Sequence, residues 1–253
     1  MIEILILSLV QGITEFLPVS SSSHLILISK FVNFENQGLS IDVSLHIGSF
    51  IAVLTYFYKD IFNFFENRKL FIKIIISSIP VILIGYVLVR TNFIEEIRNI
   101  KVIAWMTIVF GILLYISDRF KLKKEIKTNF DLKAALIIGF FQAISLIPGV
   151  SRSGITITAA RLLNFKRFDS AKISFLLSIP TLAAVSIYGL NNIFTQEDLD
   201  FSIINLFSIF VSFLFSFFTI KFFLGFIQKF NLNLIIYYRI ILGVVLLYFA
   251  YLQ

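Results

Sequence analysis

The chain contains no cysteine and only two histidines, His24 and His46. Disulfides and thiolate chemistry are therefore excluded, two imidazoles are too few for a histidine-built cluster, and any metal would need oxygen ligands. Charge is scarce as well: 15% of the 253 residues are Asp, Glu, Lys or Arg against 58% hydrophobic, and the mean hydropathy is +0.93. That balance excludes an ordinary soluble domain. Runs free of charge recur at Ile74 to Val89, Val102 to Ser117, Ile173 to Gln196 and Phe201 to Ile220. Each, with Lys or Arg snorkelling at its ends, can cross a hydrocarbon core about 30 Å thick. No basic residue precedes the first apolar run and no A-x-A-like site follows it, so the N-terminus reads as mature protein rather than a cleaved signal. The formal charge of +7 is spread between apolar runs instead of being interleaved with exposed aromatics, so no nucleic-acid partner is expected.

What stands out against this background is QGITEFLPVSSSSH, Gln11 to His24. It sets a carboxylate, a proline break, four consecutive hydroxyls and an imidazole between flanks apolar enough for lipid. Such groups persist at membrane depth where they bury against protein or line an aqueous site. The alternative is an exposed linker between two short helices.

Met1 to Lys30 reads as two short apolar pieces around Pro18, a re-entrant helix-loop-helix. Crossings follow at about 41 to 58, 71 to 90 and 101 to 117, then a charged linker, Asp118 to Asp131. The pattern then restarts: Leu132 to Leu163 is interrupted at Pro148 and Gly149, and crossings follow at about 172 to 190, 202 to 222 and 234 to 252. The expected fold is an all-α polytopic membrane protein, residues 1–253 forming one membrane domain. It has six transmembrane helices and two re-entrant hairpins, arranged as repeats over 1–117 and 132–253 around a basic linker, 118–131.

A shift of 131 residues supports duplication. Gln11 falls on Gln142, Ile13 on Ile144, Val19 on Val150, Ser20 on Ser151 and Ser22 on Ser153, while the prolines slip by one. Three crossings per half make the repeat inverted. The loops at 59 to 70, 118 to 131, 164 to 172 and 223 to 233, with their flanks, hold fifteen of the 22 Lys and Arg; the opposite side holds Lys30, Arg90, Arg98 and Lys101. By the positive-inside rule the fifteen-residue side is cytoplasmic and both termini lie outside. The two hairpins then enter from opposite faces and meet near the middle.

Serines after Pro18 and after Gly149 are good helix N-caps, so two half-helix N-termini face one region, where exposed N–H groups and dipoles favour an anion such as phosphate. Arg152, between Ser151 and Ser153 with Thr156 one turn on, offers a fork of donors for phosphate oxygens; capping carbonyls is its structural alternative. Gln11 and Glu15 share a helix face by their i, i+4 spacing. Glu15 beside an anion makes sense if it orients a nucleophile, takes a proton or holds a divalent cation bridging to phosphate; otherwise it caps backbone N–H groups. These roles suit phosphoryl transfer. His24 can pass a proton at physiological pH, or serve as a hydrogen-bonded core residue. No tightly bound cofactor is expected; Mg or Ca is the cofactor this chemistry admits, with Glu15 as candidate ligand.

These residues resemble the undecaprenyl-diphosphate phosphatases of the bacitracin-resistance type, bacterial membrane enzymes that regenerate the lipid carrier of cell-wall synthesis. Their two signatures read here as QGITEFLPVSS, Gln11 to Ser21, and PGVSRSGIT, Pro148 to Thr156, and ISFLLSIP, Ile173 to Pro180, extends the likeness. The resemblance implies a multi-pass protein of the bacterial inner membrane, hydrolysis of undecaprenyl diphosphate to the monophosphate and inorganic phosphate, and a site open to the outer face. It implies catalytic roles for Glu15, Ser21, His24 and Arg152. Gln11, Ser20, Ser151, Ser153 and Thr156 match supporting positions, and Ser22 joins them in phosphate binding. Ser21 is the candidate nucleophile or nucleophile-positioning group, with direct attack by water the other route. Expected partners are the polyprenyl diphosphate lipid, the bilayer and a second copy in a homodimer. Gln11 stands where many members have Glu, and Ser23 replaces a common Gly.

Two rival readings remain. Inverted repeats with broken helices also serve transporters and flippases of anions, although a carrier has no need of a proton-transfer set. A lipid phosphatase working through phosphohistidine would need two histidines in arginine-bearing motifs, and His46, with Asp42 one turn away, has the setting of a core pair instead.

Overall fold

The computed structural model describes residues 2–31, 39–66, 68–91, 96–120, 123–195 and 203–252. Among them the chain is helical: α1 (Ile2–Thr14), α2 (Ser21–Phe31), α3 (Leu39–Tyr56), α4 (Tyr58–Glu66), α5 (Arg68–Arg90), α6 (Ile100–Asp118), α7 (Ile126–Asn129), α8 (Leu132–Ile144), α9 (Arg152–Leu162), α10 (Arg167–Thr195), α11 (Ile203–Lys229) and α12 (Asn233–Leu252). Charge-free runs of Ile, Leu and Phe dictate this, because a helix satisfies every backbone group within its own segment and can therefore sit in hydrocarbon. Five helices, α5, α6, α10, α11 and α12, are long and apolar enough to cross a membrane; α1, α3 and α8 are shorter apolar helices. The crossing expected at 41 to 58 is α3, which ends at Tyr56. Large apolar side chains such as Leu83, Phe210, Phe222 and Ile241 lie exposed on the long helices, as a lipid-facing surface requires.

Helix α3 packs along α10 and α11, α6 along α12, α5 along α8, and α1 along α11. In lipid such contacts rely on close approach and interhelical hydrogen bonds more than on hydrophobic burial. The α3–α11 seam has both: Ser212 Oγ donates to Leu45 O at 2.7 Å, and Ser49 Oγ lies 2.9 Å from Ser216 Oγ. Gly139 of α8 lies against the backbone of Ser77 on α5 so closely that a Cβ would collide with it. A buried aromatic cluster fills the centre, with Phe175 edge-on to Phe16 at 5.3 Å and 5.9 Å from Phe223; each such pair adds about 1 kcal/mol beyond its burial.

At one end of the bundle Asp118, closing α6, accepts from Arg167 Nε at 2.8 Å and Nη2 at 3.0 Å. Buried Arg161 donates to the carbonyls of Asp118, Phe120 and Phe165 at 2.9, 3.1 and 3.1 Å. This network fixes the end of α9 to α6 and to the start of α10. Beside it, the linker strand forms a parallel bridge between Lys124 and Phe165.

Two helix breaks interrupt this frame. Helix α1 ends at Thr14, a turn runs through Glu15 to Val19, and α2 starts at Ser21; α8 ends at Ile144 and α9 starts at Arg152. Pro18 and Pro148 cannot continue the helices they follow. In both breaks the residue preceding the new helix is a serine in the left-handed region, Ser20 at φ 77° and Ser151 at φ 69°. For a residue with a side chain that conformation costs on the order of 1–3 kcal/mol, and such strain collects at functional sites. Gly149 carries the sharpest part of the second turn, at φ 97°, and a Cβ there would lie 2.5 Å from Ile103 O.

Candidate active site

The turn after α1 delivers Glu15 to the centre of the bundle, where its carboxylate is 8% exposed. Its two oxygens are used separately. Oε1 accepts from Arg152 Nη2 at 2.8 Å; Oε2 accepts from Ser21 Oγ at 2.8 Å and from Gln11 Nε2 at 2.9 Å. Residues 137 positions apart thus form one cluster, with Arg152, 13% exposed, also reaching toward Ser174 O and lying over the Phe16 ring. Removing one partner of a buried pair like this leaves an uncompensated charge, at about 3–5 kcal/mol.

The breaks are held together by their own backbone oxygens. Ser153 Oγ donates to Leu17 O across the gap at 2.8 Å. Arg239, fully buried on α12, donates to Pro18 O at 3.1 Å on one side and to Gly149 O and Val150 O at 3.1 and 3.0 Å on the other. Broken helices leave carbonyls without intrahelical partners, and this guanidinium satisfies three of them. The sequence reading gives Arg239 no role in the site. One arginine amid the apolar residues of α12 was the available signal, since intramembrane charge marks special positions.

A cavity of about 220 Å³ opens beside the ion pair, lined by Thr14, Glu15, Ser20, Ser21, His46, Val81, Ser145, Leu146, Ser151, Arg152, Thr181, Leu182 and Val185. Prolines 80 and 180, which each remove a helix hydrogen bond, immediately precede the lining residues Val81 and Thr181. The structure therefore gathers Glu15, Ser20, Ser21, Ser151 and Arg152 on one space, with Gln11 buried behind them. Ser151 Oγ caps α9 by accepting from Gly154 N at 3.1 Å. Thr156 Oγ1 lies away from the cavity, 2.7 Å from Ser174 Oγ and 2.8 Å from Arg152 O, where it steadies the arginine's turn. The side chain of Ser22 falls outside the described residues.

The two imidazoles part company. His24 Nδ1 donates to Ser20 O at 2.7 Å, and Nε2 accepts from Tyr238 Oη at 2.6 Å, with the rings stacked 5.8 Å apart. It lines a different, apolar cavity with Leu9, Leu17, Leu234 and Tyr238. His46 lines the cavity of Glu15 and Arg152, and its Nδ1 lies 3.1 Å from Gln11 Nε2, so its hydrogen-bond partner is Gln11 and not Asp42.

Fold and site define a polytopic helical membrane protein with a polar, part-buried cavity framed by two helix N-termini, an ion pair and hydroxyls, a setting suited to an anionic group. The model of the bacitracin resistance protein BacA family matches residues 4–245. The chain belongs to that family. An undecaprenyl-diphosphatase of Pelagibacter ubique is 50% identical over 251 residues, 99% of this chain and 98% of that protein. Similarity extends to undecaprenyl-diphosphatases of Saccharophagus degradans, 42% identical over 94% of this chain and 93% of that protein, and of Jannaschia, 37% identical over 97% of each.

Proposed function

We propose that the chain hydrolyses undecaprenyl diphosphate to undecaprenyl phosphate and inorganic phosphate, recycling the carrier lipid and conferring bacitracin resistance. The observation that carries the reading is the cluster of Arg152, Glu15 and Ser21 on one cavity. The diphosphate occupies that cavity, where Arg152 and the N-terminal N–H groups of α2 and α9 neutralise the charge of the transferred phosphoryl group. Ser21 Oγ, whose hydrogen points to Glu15 Oε2, attacks the terminal phosphorus or aligns a water that does so. With water as nucleophile, one P–O bond forms and the bridging one breaks, releasing phosphate directly; with Ser21 the same exchange leaves a phosphoserine, and a water then forms the second P–O bond as Oγ–P breaks, releasing phosphate and restoring the hydroxyl. The proton of the nucleophile goes to Glu15, and the electron pair leaves on undecaprenyl phosphate.

The prenyl tail has a matching exit. An apolar groove of about 390 Å³ between α5 and α10 shares Val81, Leu146, Thr181 and Val185 with the polar cavity and continues along Ile82, Gly85 and Tyr86. A lipid with its head at Arg152 lays its tail there.

The finer topology belongs to this proposal: α3 as a sixth crossing, the two breaks as re-entrant hairpins, and halves 1–117 and 132–253 as inverted repeats around the linker. Left-handed Ser20 and Ser151 lie 131 residues apart, matching the repeat shift, and α1 packs on α11 as α8 packs on α5. The charge bias supports termini outside and a site open to the outer face of the bacterial membrane. A homodimer belongs to the same reading and is read out by the mass of the purified protein in micelles. Glu15 has both oxygens engaged by protein donors, and an Mg or Ca ion enters this reading as a companion of the diphosphate, with Glu15 as its candidate ligand.

Purified protein in detergent micelles, where transport has no meaning, releases phosphate from undecaprenyl diphosphate; no release would sink the enzyme reading in favour of a carrier.

A further inference from the structure

His24 has both ring nitrogens engaged away from Glu15, whereas His46 faces the cavity and is aligned by Gln11. The amide nitrogen of Gln11 serves Glu15 Oε2 and His46 Nδ1 together, at 2.9 and 3.1 Å. The reverse orientation of that amide would aim its oxygen at a carboxylate paired with Arg152, so nitrogen belongs at this position. A ring nitrogen that accepts from Gln11 carries no proton, and the proton of His46 therefore sits on Nε2. Among the described residues Nε2 has no hydrogen-bond partner. Glu15, Arg152 and, one turn back on its own helix, Asp42 are the charged groups around it.

We propose that His46 is a further catalytic residue: its Nε2–H donates a hydrogen bond to a phosphate oxygen as charge builds during transfer, with Gln11 as the positioning residue that turns the ring. The inference rests on the diphosphate-hydrolysis reading. The ring keeps its proton throughout, since a neutral imidazole serves as a donor and not as an acid; the nucleophile's proton still goes to Glu15.

A side-chain amide can copy both functions, accepting from Gln11 and donating to phosphate. His46→Leu therefore loses about a hundredfold in kcat, the scale of a missing transition-state donor, with KM little changed. His46→Gln stays within about tenfold of the parent, since it keeps a donor of similar strength. Wild-type kcat in His46→Leu, or an equal loss in His46→Gln, overturns the proposal; absence of turnover in the parent protein instead overturns the hydrolysis reading. Should the Leu variant fail to fold, nitrogen NMR of histidine-labelled parent protein decides. The two rings have opposite tautomers, His24 protonated on Nδ1 and His46 on Nε2, and His46→Gln assigns the signals by deletion. Added inorganic phosphate shifts the Nε2 signal of His46; a shift confined to His24 refutes the assignment.

Discussion

The two helix breaks share residues and backbone form and do opposite electrostatic work. At equivalent positions, 131 apart, the first has Glu15 and Ser21 where the second has Leu146 and Arg152. The carboxylate sits on one side and the guanidinium on the other, and they meet in one ion pair. Their shared glutamines show the difference. Gln11 and Gln142 are both fully buried, but Gln11 holds Glu15 and His46, while both amide atoms of Gln142 are buried with no hydrogen-bond partner among the described residues. Gln11 has Glu15 one turn on to hold, whereas Gln142 has Leu146 there. Two breaks with matching frames can thus differ by a few side chains, because each frame supplies a helix N-terminus and the side chains decide which break carries which charge.

The largest expected effect comes from removing the guanidinium. Arg152→Ala should lower kcat by on the order of a hundredfold and cost about 3 kcal/mol of stability, by leaving Glu15 buried and unpaired. Adding Glu15→Gln to that variant restores stability while turnover stays lost, since the charge is relieved but neither the clamp nor the proton acceptor returns. Thermal midpoints and phosphate release on the single and double variants separate the two roles. Near-normal turnover in Arg152→Ala would dissolve the contrast between the breaks. Next in size is Gln11→Met, which frees both Glu15 and His46 and should lower kcat about tenfold through loss of positioning; an unchanged rate would make Gln11 as idle as Gln142.

Much of this was legible in the residues. Charge-free runs placed the long helices, since a helix is the arrangement that satisfies every backbone group within one segment in lipid, and Pro18 and Pro148 with the serines after them placed the breaks. The 131-residue shift brought Glu15, Ser21 and Arg152 to one phosphate, and they do share one cluster. The facing of His24 was not legible: one turn past Ser21 its ring meets Tyr238, 214 residues along the chain, and only the packing of α12 decides that. His46 was hidden for the converse reason. Its nearest sequence neighbour of interest, Asp42, suggested a core pair, while the contact that matters comes from α1. Left-handed Ser20 and Ser151 also escaped, because serine gives no hint of positive φ where glycine would.

The smallest effect is the sharpest test of the contrast between the breaks. A buried amide without a partner forfeits about 1–3 kcal/mol of desolvation, and Met fills a similar volume with no polar atom to satisfy. Gln142→Met should therefore raise stability by about 1 kcal/mol and leave kcat and KM for undecaprenyl diphosphate unchanged, the reverse of Gln11→Met in sign and in kind. A lower thermal midpoint would mean that Gln142 makes a hydrogen bond worth keeping, and the second break would then retain a polar function of its own.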